Sequence, residues 1–297
     1  MDHKNDTTLR LIEESLKFKV HSYWCDVKSI CLVNTKVQCE VYKVNANNFN
    51  PINKTKVQLL EPSFFSQIHY RVDPPLDFGY THPLQLLVLG THKKTEIVNP
   101  TKVLFSSNEK FTGALVKSFF PSSLVSSSFE LLNTFIKREK KAVLKPLYQA
   151  QGQGIELYEW GVKENIKSRL SFATSDFTRP VLLQKFLSQI YVGEKRLWFI
   201  DGKLLAYVKK HPSHGSFKVN VDLGSIIEKT TLSKKENKVA YALSRLLRDH
   251  KIRLAAIDLI GTYVTDFNIT SPGLIIEMEQ VLGENLAKKI IENLTHN

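Results

Sequence analysis

Cys25, Cys31 and Cys39 are the only three cysteines in this 297-residue chain. Their odd number, and the lack of any Cys-x-x-Cys spacing, exclude a disulfide framework and offer no zinc site. Long hydrophobic runs are missing too: none approaches the roughly 18 to 20 residues that a membrane helix needs. The opening "MDHKNDTTLR" has no apolar signal core. A cytoplasmic protein with no membrane partner is therefore expected. There is no internal repeat and no low-complexity tract.

What is abundant is positive charge, formally +12. It is not concentrated: residues 1–107 hold 13 basic against 10 acidic side chains, residues 108–188 hold 12 against 7, and residues 189–297 hold 16 against 12. Nucleic-acid binders gather basic residues on one face with interleaved aromatics. Only "KREKK", Lys137 to Lys141, forms a cluster, and it reads as a solvated helix end. No nucleic-acid partner is expected, whereas a diffuse positive field attracts nucleotides and carboxylates. With 42% hydrophobic and 24% charged residues in 34.0 kDa, the composition is that of a globular protein of two or three small domains.

The first hundred residues alternate between helical and strand patterns. "TTLRLIEESLKF" has helical spacing at Leu9, Ile12 and Leu16, "SICLVN" and "KVQCEVYKV" read as strands, and "PLQLLVLGTHKK" as a helix, which together suit an α/β layer. In "SSNEKFTGALVKSFF" a serine before Asn-Glu-Lys and an apolar rhythm predict a capped helix start. "AVLKPL", Ala142 to Leu147, predicts a strand running into the polar loop "YQAQGQGIELY". "RLWFIDGKLLAYVKK" predicts a tight hairpin turned by Asp201-Gly202. "NKVAYALSRLLRDH" follows as a one-striped helix, and "EMEQVLGENLAKKIIENL" as a helix interrupted near Gly283.

Polar residues inside "AAIDLIGTYVTDFNIT" carry the chemistry. A hairpin closed at Gly261-Thr262-Tyr263 sets Asp258 across from Asp266, and Asn268, two residues on, shares their face. Ile257, Leu259, Thr265 and Phe267 then point into a core. Hard oxygen ligands on such a hairpin suit Mg2+, and two close carboxylates would repel each other until a metal relieves them. The same pattern also suits a hairpin with a solvated polar face. Lys145 ends a strand before the loop of Gly152 and Gly154, whose backbone N–H groups can cradle phosphate; a solvated strand-end lysine is the alternative.

Taken in order, "RVDPPLDFGY", "NEK", "LKPL" before a glycine loop, "LLQKFL…GEKRLWFIDGKLLAY" and "IDLIG…TDFNITSP" resemble bacterial-type glutathione synthetase of the ATP-grasp superfamily, from about residue 6 to the C-terminus. The resemblance implies an α/β and α+β fold: a Rossmann-like pre-ATP-grasp domain over 1–107, an ATP-grasp lid over 108–188 and a C-terminal ATP-grasp subdomain over 189–297. It implies ATP and Mg2+, with Mn2+ as the alternative metal. It implies a ligase that joins γ-glutamylcysteine to glycine through an acyl phosphate, and a homo-oligomer.

Residue by residue, the resemblance makes Lys110 and Lys145 phosphate-side lysines beside Gly152 and Gly154. Gln184, Phe186 and Leu187 fall in the adenine hinge "LQKFL", and Glu194 becomes the ribose contact. Arg196 and Lys210 lie near the transferred phosphate or substrate carboxylate. Asp258, Asp266 and Asn268 become the metal ligands, and Arg71, Asp73, Lys218 and Ser271 the substrate side. For Arg71 and Asp73 a salt-bridged turn ordered by Pro74 and Pro75 is the other reading.

Four departures accompany the resemblance. Asp266 stands where the family usually has Glu. Gln149, Gln151 and Gln153 leave the loop poorer in glycine. Lys210 and Lys218 replace arginines and lose the bidentate fork. "HGSFKVNVDLGSIIEKT", His214 to Thr230, corresponds to a mobile active-site loop of the family, but its glycines are few and Ile226 stands where an arginine is usual. A ligase acting on another γ-glutamyl or amino-acid carboxylate, and a non-catalytic ATP-binding regulator, are the alternatives. The family normally begins with an apolar strand that "MDHKNDTT" follows, so a start further upstream or a destabilised first domain is expected.

Overall fold

The computed structural model describes residues 5–45, 56–149, 152–162, 165–213, 215–219 and 225–295. Gln151, His214 and part of the loop that follows lie outside them. The first region holds α1 (Thr7–Lys17), β1 (Ser22–Cys25), β2 (Cys31–Val33), β3 (Lys36–Val44), β4 (Val57–Leu60), β5 (Gln67–His69), α2 (Phe78–Gly90), β6 (Glu96–Val98) and α3 (Thr101–Ser106). β3 pairs antiparallel with β1, β2 and β4. β5 and β6 pair in parallel across α2, a single βαβ unit. Among the described residues this pair is the parallel part of the expected Rossmann-like layer. Leu84, Leu87, Tyr70, Tyr80, Cys39 and Val41 form its buried core.

Next come β7 (Ser123–Ser126), α4 (Phe129–Glu139), β8 (Lys141–Pro146), β9 (Glu156–Glu159), α5 (Ile166–Ala173) and β10 (Val181–Lys185). The four strands form an antiparallel sheet in the order β7-β10-β8-β9. Leu132, Phe135 and Ile136 of α4 pack on its inner face. The segment before it is not the capped α-helix that the sequence predicts. Thr112–Phe119 is 3-10 helix, broken where Lys117 takes φ 46°. Glu109, the acid that would complete a capping box, instead accepts hydrogen bonds from Ile269 and Thr270 far along the chain.

The last region contains β11 (Glu194–Ile200), β12 (Lys203–His211), β13 (Ile226–Glu228), α6 (Lys234–Asp249), β14 (Leu254–Ile260), β15 (Tyr263–Asn268), α7 (Ile275–Leu282) and α8 (Leu286–Thr295). Its five-stranded antiparallel sheet runs β13-β12-β11-β14-β15. The β11–β12 hairpin turns at Asp201 (φ 49°) and Gly202 (φ 69°), the two positive φ values a type I′ turn requires. A Cβ on Gly202 would also lie 2.4 Å from Arg248 Cγ. Ser233 and Glu236 form a full capping box at the start of α6.

Both faces of this sheet are covered, which is why β14 is an almost continuous apolar run rather than an alternating one. Val239, Leu243 and Leu247 of α6 cover one face, against Leu197, Phe199 and Ile257. Ile290 and Leu294 of α8, Met278 of α7 and Leu11 of α1 cover the other, against Trp198 and Ala256. The first helix thus docks on the last two, and Arg10 Nε lies 2.8 Å from Glu279 Oε2.

Candidate active site

Sheet register builds the charged centre. Asp258 and Asp266 are direct cross-strand partners on β14 and β15, whose turn is Gly261-Thr262. Arg196 on β11 is paired with Asp258, and Glu194 with Lys210 of β12. Opposite charges at paired positions meet across the sheet. Arg196 grips Asp258 through both nitrogens, Nε to Oδ1 at 2.9 Å and Nη2 to Oδ2 at 2.7 Å. Lys210 Nζ lies 3.1 Å from Asp258 Oδ1 and 2.8 Å from Glu194 Oε2.

A bulge next to Asp258 shifts the register, so that Leu259 pairs with Val264. Thr265 is the extra residue, and this corrects the expectation that it points into the core. Val264 is in the apolar cluster instead. The Thr265 hydroxyl donates to Glu194 Oε1 and to the Asp258 carbonyl, both at 3.2 Å. The carbonyl of Thr265 accepts a 2.8 Å hydrogen bond from Lys145 Nζ. Lys145 is only 8% exposed, so it is not a solvated strand end; it joins the β8 sheet to the β15 sheet.

A second link between the sheets starts at Asn108, whose side-chain amide donates to the Leu147 carbonyl. The Phe267 N–H donates to the Glu109 carbonyl. Glu109 Oε1 accepts from the N–H of Ile269 at 2.8 Å, the N–H of Thr270 at 3.0 Å and the Thr270 hydroxyl at 2.9 Å. These bonds hold Lys110 over the hairpin, where its Nζ lies 2.8 Å from Asp266 Oδ1. The two carboxylates are therefore each neutralised by cations, and the expected mutual repulsion does not describe the ligand-free site.

Burial by itself would raise the Asp258 carboxyl, but attraction to Arg196 and Lys210 outweighs it and holds the group far below the ordinary carboxylate range. For Glu194 burial wins over Lys210 and the value rises. Burial also pulls the Lys145 ammonium down. For Lys110 burial is outweighed by Asp266, and the ammonium is held up.

These groups face one cavity of about 760 Å³, within the range of ligand sites. Its walls include Arg71, Asp73, Lys110, Lys145, Gly152, Gln184, Phe186, Leu187, Glu194, Arg196, Lys210, Lys218, Asp258, Asp266, Asn268 and Ser271. Every residue that the resemblance singles out is brought here except Gly154. That glycine (φ 67°) packs within its own loop, where a Cβ would lie 2.7 Å from Pro146 Cγ. Ile226 is exposed on β13 and is not a wall residue. Arg71 does not close a turn with Asp73: its Nε donates to Thr8 Oγ1 and its Nη2 to the Pro272 carbonyl, each at 2.9 Å. Its Nη1 is buried without a partner, and burial pushes its pKa down to about 10.

The sequence singles out neither Glu109, Trp24 nor the Asp6–Thr8 start of α1, places Thr265 in the core, and marks Phe217 only as part of the loop from His214 to Thr230. Glu109, Trp24, Thr265, Phe217 and that start of α1 all line the cavity. Glu109 carried a signal, since it adjoins Lys110 in the quoted "NEK". Trp24 carried none.

The donor set fits a hard divalent cation. Asp258 and Asp266 face each other, and Asn268 donates its amide nitrogen to the Ala256 carbonyl, which leaves its oxygen as the free donor. Among the described residues no group of three or more His, Cys, Asp or Glu is placed to hold a metal alone. A shell completed by phosphate and water is the usual arrangement for Mg2+.

Two antiparallel sheets that share a cavity lined by lysines and arginine paired with acids are the arrangement of an ATP-grasp ligase. The chain belongs to the prokaryotic glutathione synthetase family: the model of that family's N-terminal domain matches residues 1–104 and the model of its ATP-grasp domain matches residues 109–283. A glutathione synthetase of Prochlorococcus marinus subsp. pastoris is 27% identical over 97% of this chain and 93% of its own length. Another Prochlorococcus marinus strain has one that is 31% identical over 77% and 74%. Among solved structures, D-cycloserine synthetase superposes with a TM-score of 0.69 at 14% identity over 96% of this chain and 92% of that one. A macrocyclase of Microcystis aeruginosa superposes at 0.63 with 13% identity over 100% and 98%. These two share the fold. ATP-grasp ligases use ATP and a divalent metal, and no helix among the described residues is long and apolar enough to cross a membrane.

Proposed function

We propose that the chain is a glutathione synthase that joins γ-glutamylcysteine to glycine at the expense of ATP. The observation that carries this reading is the convergence in one cavity of Lys110 and Lys145, the Asp258–Asp266–Asn268 face and Arg71 with its buried, unpartnered Nη1. In this reading the extended chain at Gln184–Leu187 meets adenine, Glu194 the ribose, and Lys110 and Lys145 the phosphates. Asp258, Asp266 and Asn268 hold Mg2+, which when bound disperses phosphate charge.

Transfer of the γ-phosphoryl group to the cysteinyl carboxylate makes an acyl phosphate and ADP. The glycine amine then attacks that carbonyl and phosphate leaves. Arg196 and Lys210, freed from their carboxylates as phosphate enters, stabilise the charge that develops on the transferred group. Arg71 Nη1 takes a substrate carboxylate, with Asp73, Lys218 and Ser271 on the same side. The domains fall at 1–107, 108–188 and 189–297, in a cytoplasmic homo-oligomer.

ADP formation from Mg-ATP with γ-glutamylcysteine, with and without glycine, tests this, with the product identified by mass. The expected result is glycine-dependent ADP release and a tripeptide product. Turnover only with a different acid selects the related ligase. ATP binding with no ADP under any substrate pair overturns the enzymatic reading.

A further inference from the structure

The cavity has apolar as well as charged walls. Val143, Ile155, Phe186, Leu187, Ile190 and Phe217 are apolar residues of the β8 sheet, the segment after it and the loop after β12 that line it. Phe186 follows β10 directly, and its N–H donates to the Lys141 carbonyl at 3.0 Å. Three groups surround its ring: Lys141 Nζ at 5.0 Å from the centroid, the Tyr191 ring at 6.0 Å and the Phe217 ring at 6.0 Å with an interplanar angle of 77°. Phe217 comes from a different part of the chain, beyond β12, and immediately precedes Lys218. The turn that presents it is closed by Ser216, whose N–H donates to the Ser213 carbonyl and whose hydroxyl accepts from the Lys218 N–H, both at 2.9 Å.

An edge-on aromatic pair with apolar side chains, lining the same cavity as Lys110 and Lys145, suits a flat, neutral heteroaromatic ring that carries phosphates. Base–aromatic contact is tolerant of base identity and is lost when the ring is truncated. We infer that Phe217 is a nucleotide-positioning residue, forming with Phe186 the aromatic wall against which the base of ATP is held. The inference rests on the ATP-ligase reading and adds a residue to which that reading gives no role. The base contact is separate from the phosphate contacts of Lys110 and Lys145.

Two probes separate them in the full-length protein: Mg-ATP, which has a base, and Mg-tripolyphosphate, which has only the phosphates. Affinities are measured by calorimetry for the unaltered chain, Phe217→Ala and Phe217→Tyr. Phe217→Ala is expected to weaken Mg-ATP about tenfold and to leave Mg-tripolyphosphate unchanged, while Phe217→Tyr keeps ATP affinity within about twofold. The Michaelis constant for ATP should rise in parallel, with that for the dipeptide unmoved. Unchanged or tighter ATP binding in Phe217→Ala overturns the inference, and so does equal weakening of both probes, which marks a general disturbance of the loop. An unaltered chain that binds no Mg-ATP overturns the ligase reading itself, a result distinct from either.

Discussion

Asp258 is 3% exposed and has two cations on it, and this decides how the paired acids behave without ligand. Removing the carboxylate leaves Lys210 with Glu194 but strands the Arg196 guanidinium in a buried place. Loss of one partner of a buried pair typically costs 3–5 kcal/mol, so Asp258→Asn should destabilise the ligand-free protein by about 3 kcal/mol in denaturant titrations. Mutual repulsion of the two acids would predict no loss or a small gain. The pH dependence has a definite sign. The Asp258 carboxyl is depressed in the folded chain, so between its folded value and the unfolded value of about 3.9 the unfolded chain binds more protons. Its contribution is therefore complete above roughly pH 5 and lost as the pH falls below about 4. In metal-free buffer the acid limb of stability against pH should be flatter in Asp258→Asn. Asp266 meets a single lysine, Lys110, so lengthening it is milder. Asp266→Glu should keep ADP formation and shift the relative rates with Mg2+ and the larger Mn2+; loss of turnover with both metals would remove Asp266 from the metal face.

At the scale of elements, the strands were legible where turn chemistry and period agree locally. Asp201-Gly202 and Gly261-Thr262 both close hairpins, and the cross-strand pairing of Asp258 with Asp266 follows from counting outward from the second turn. The bulge that turns Thr265 into the site was not legible, because one extra residue in a strand leaves no mark in an apolar pattern. Ser-Asn-Glu-Lys misled for a related reason: a capping box is a local rule, and Glu109 spends its carboxylate on backbone N–H groups some 160 residues away. Asn99 was invisible for the same cause. Buried at 2% exposure after β6, it donates to the carbonyls of Leu254 and Ile269 and accepts from the N–H groups of Arg253 and Leu254. All four of its bonds run to the start of β14 and the end of β15, so the parallel pair is stitched to the sheet that carries Asp258 and Asp266. Asn99→Ala leaves buried backbone groups unpaired, and a loss of about 3 kcal/mol is expected. Equilibrium urea unfolding checks this; a change under about 1 kcal/mol would mean that water replaces the side chain.

Across the whole molecule, the cavity draws on three stretches of chain that are far apart in sequence: the Arg71 region, the β8 sheet and the β15 sheet. Lys145 and Arg71 sit on different walls, and their substitution should separate two functions that a single collapsed site would lose together. Binding to the folded state alone raises stability, by about 2.7 kcal/mol at roughly 100 times Kd, so Mg-ATP should raise the melting temperature of the unaltered chain. Lys145→Met keeps most of the length of the side chain, one atom short, while removing the charge and the bond to the Thr265 carbonyl. It should abolish most of that nucleotide-dependent rise. Arg71→Lys has the opposite profile. It gives up the fork that reaches Thr8, Pro272 and the open Nη1 position, but touches neither Lys110 nor Lys145. Its Mg-ATP stabilisation should match the unaltered chain, while ADP formation with the dipeptide falls by at least about tenfold, the loss of one charge-assisted hydrogen bond. Parallel thermal scans and ADP assays read both quantities. If Arg71→Lys loses the nucleotide stabilisation as well, the Arg71 wall serves ATP rather than the acid substrate, and the division of the cavity into a nucleotide half and a substrate half is wrong.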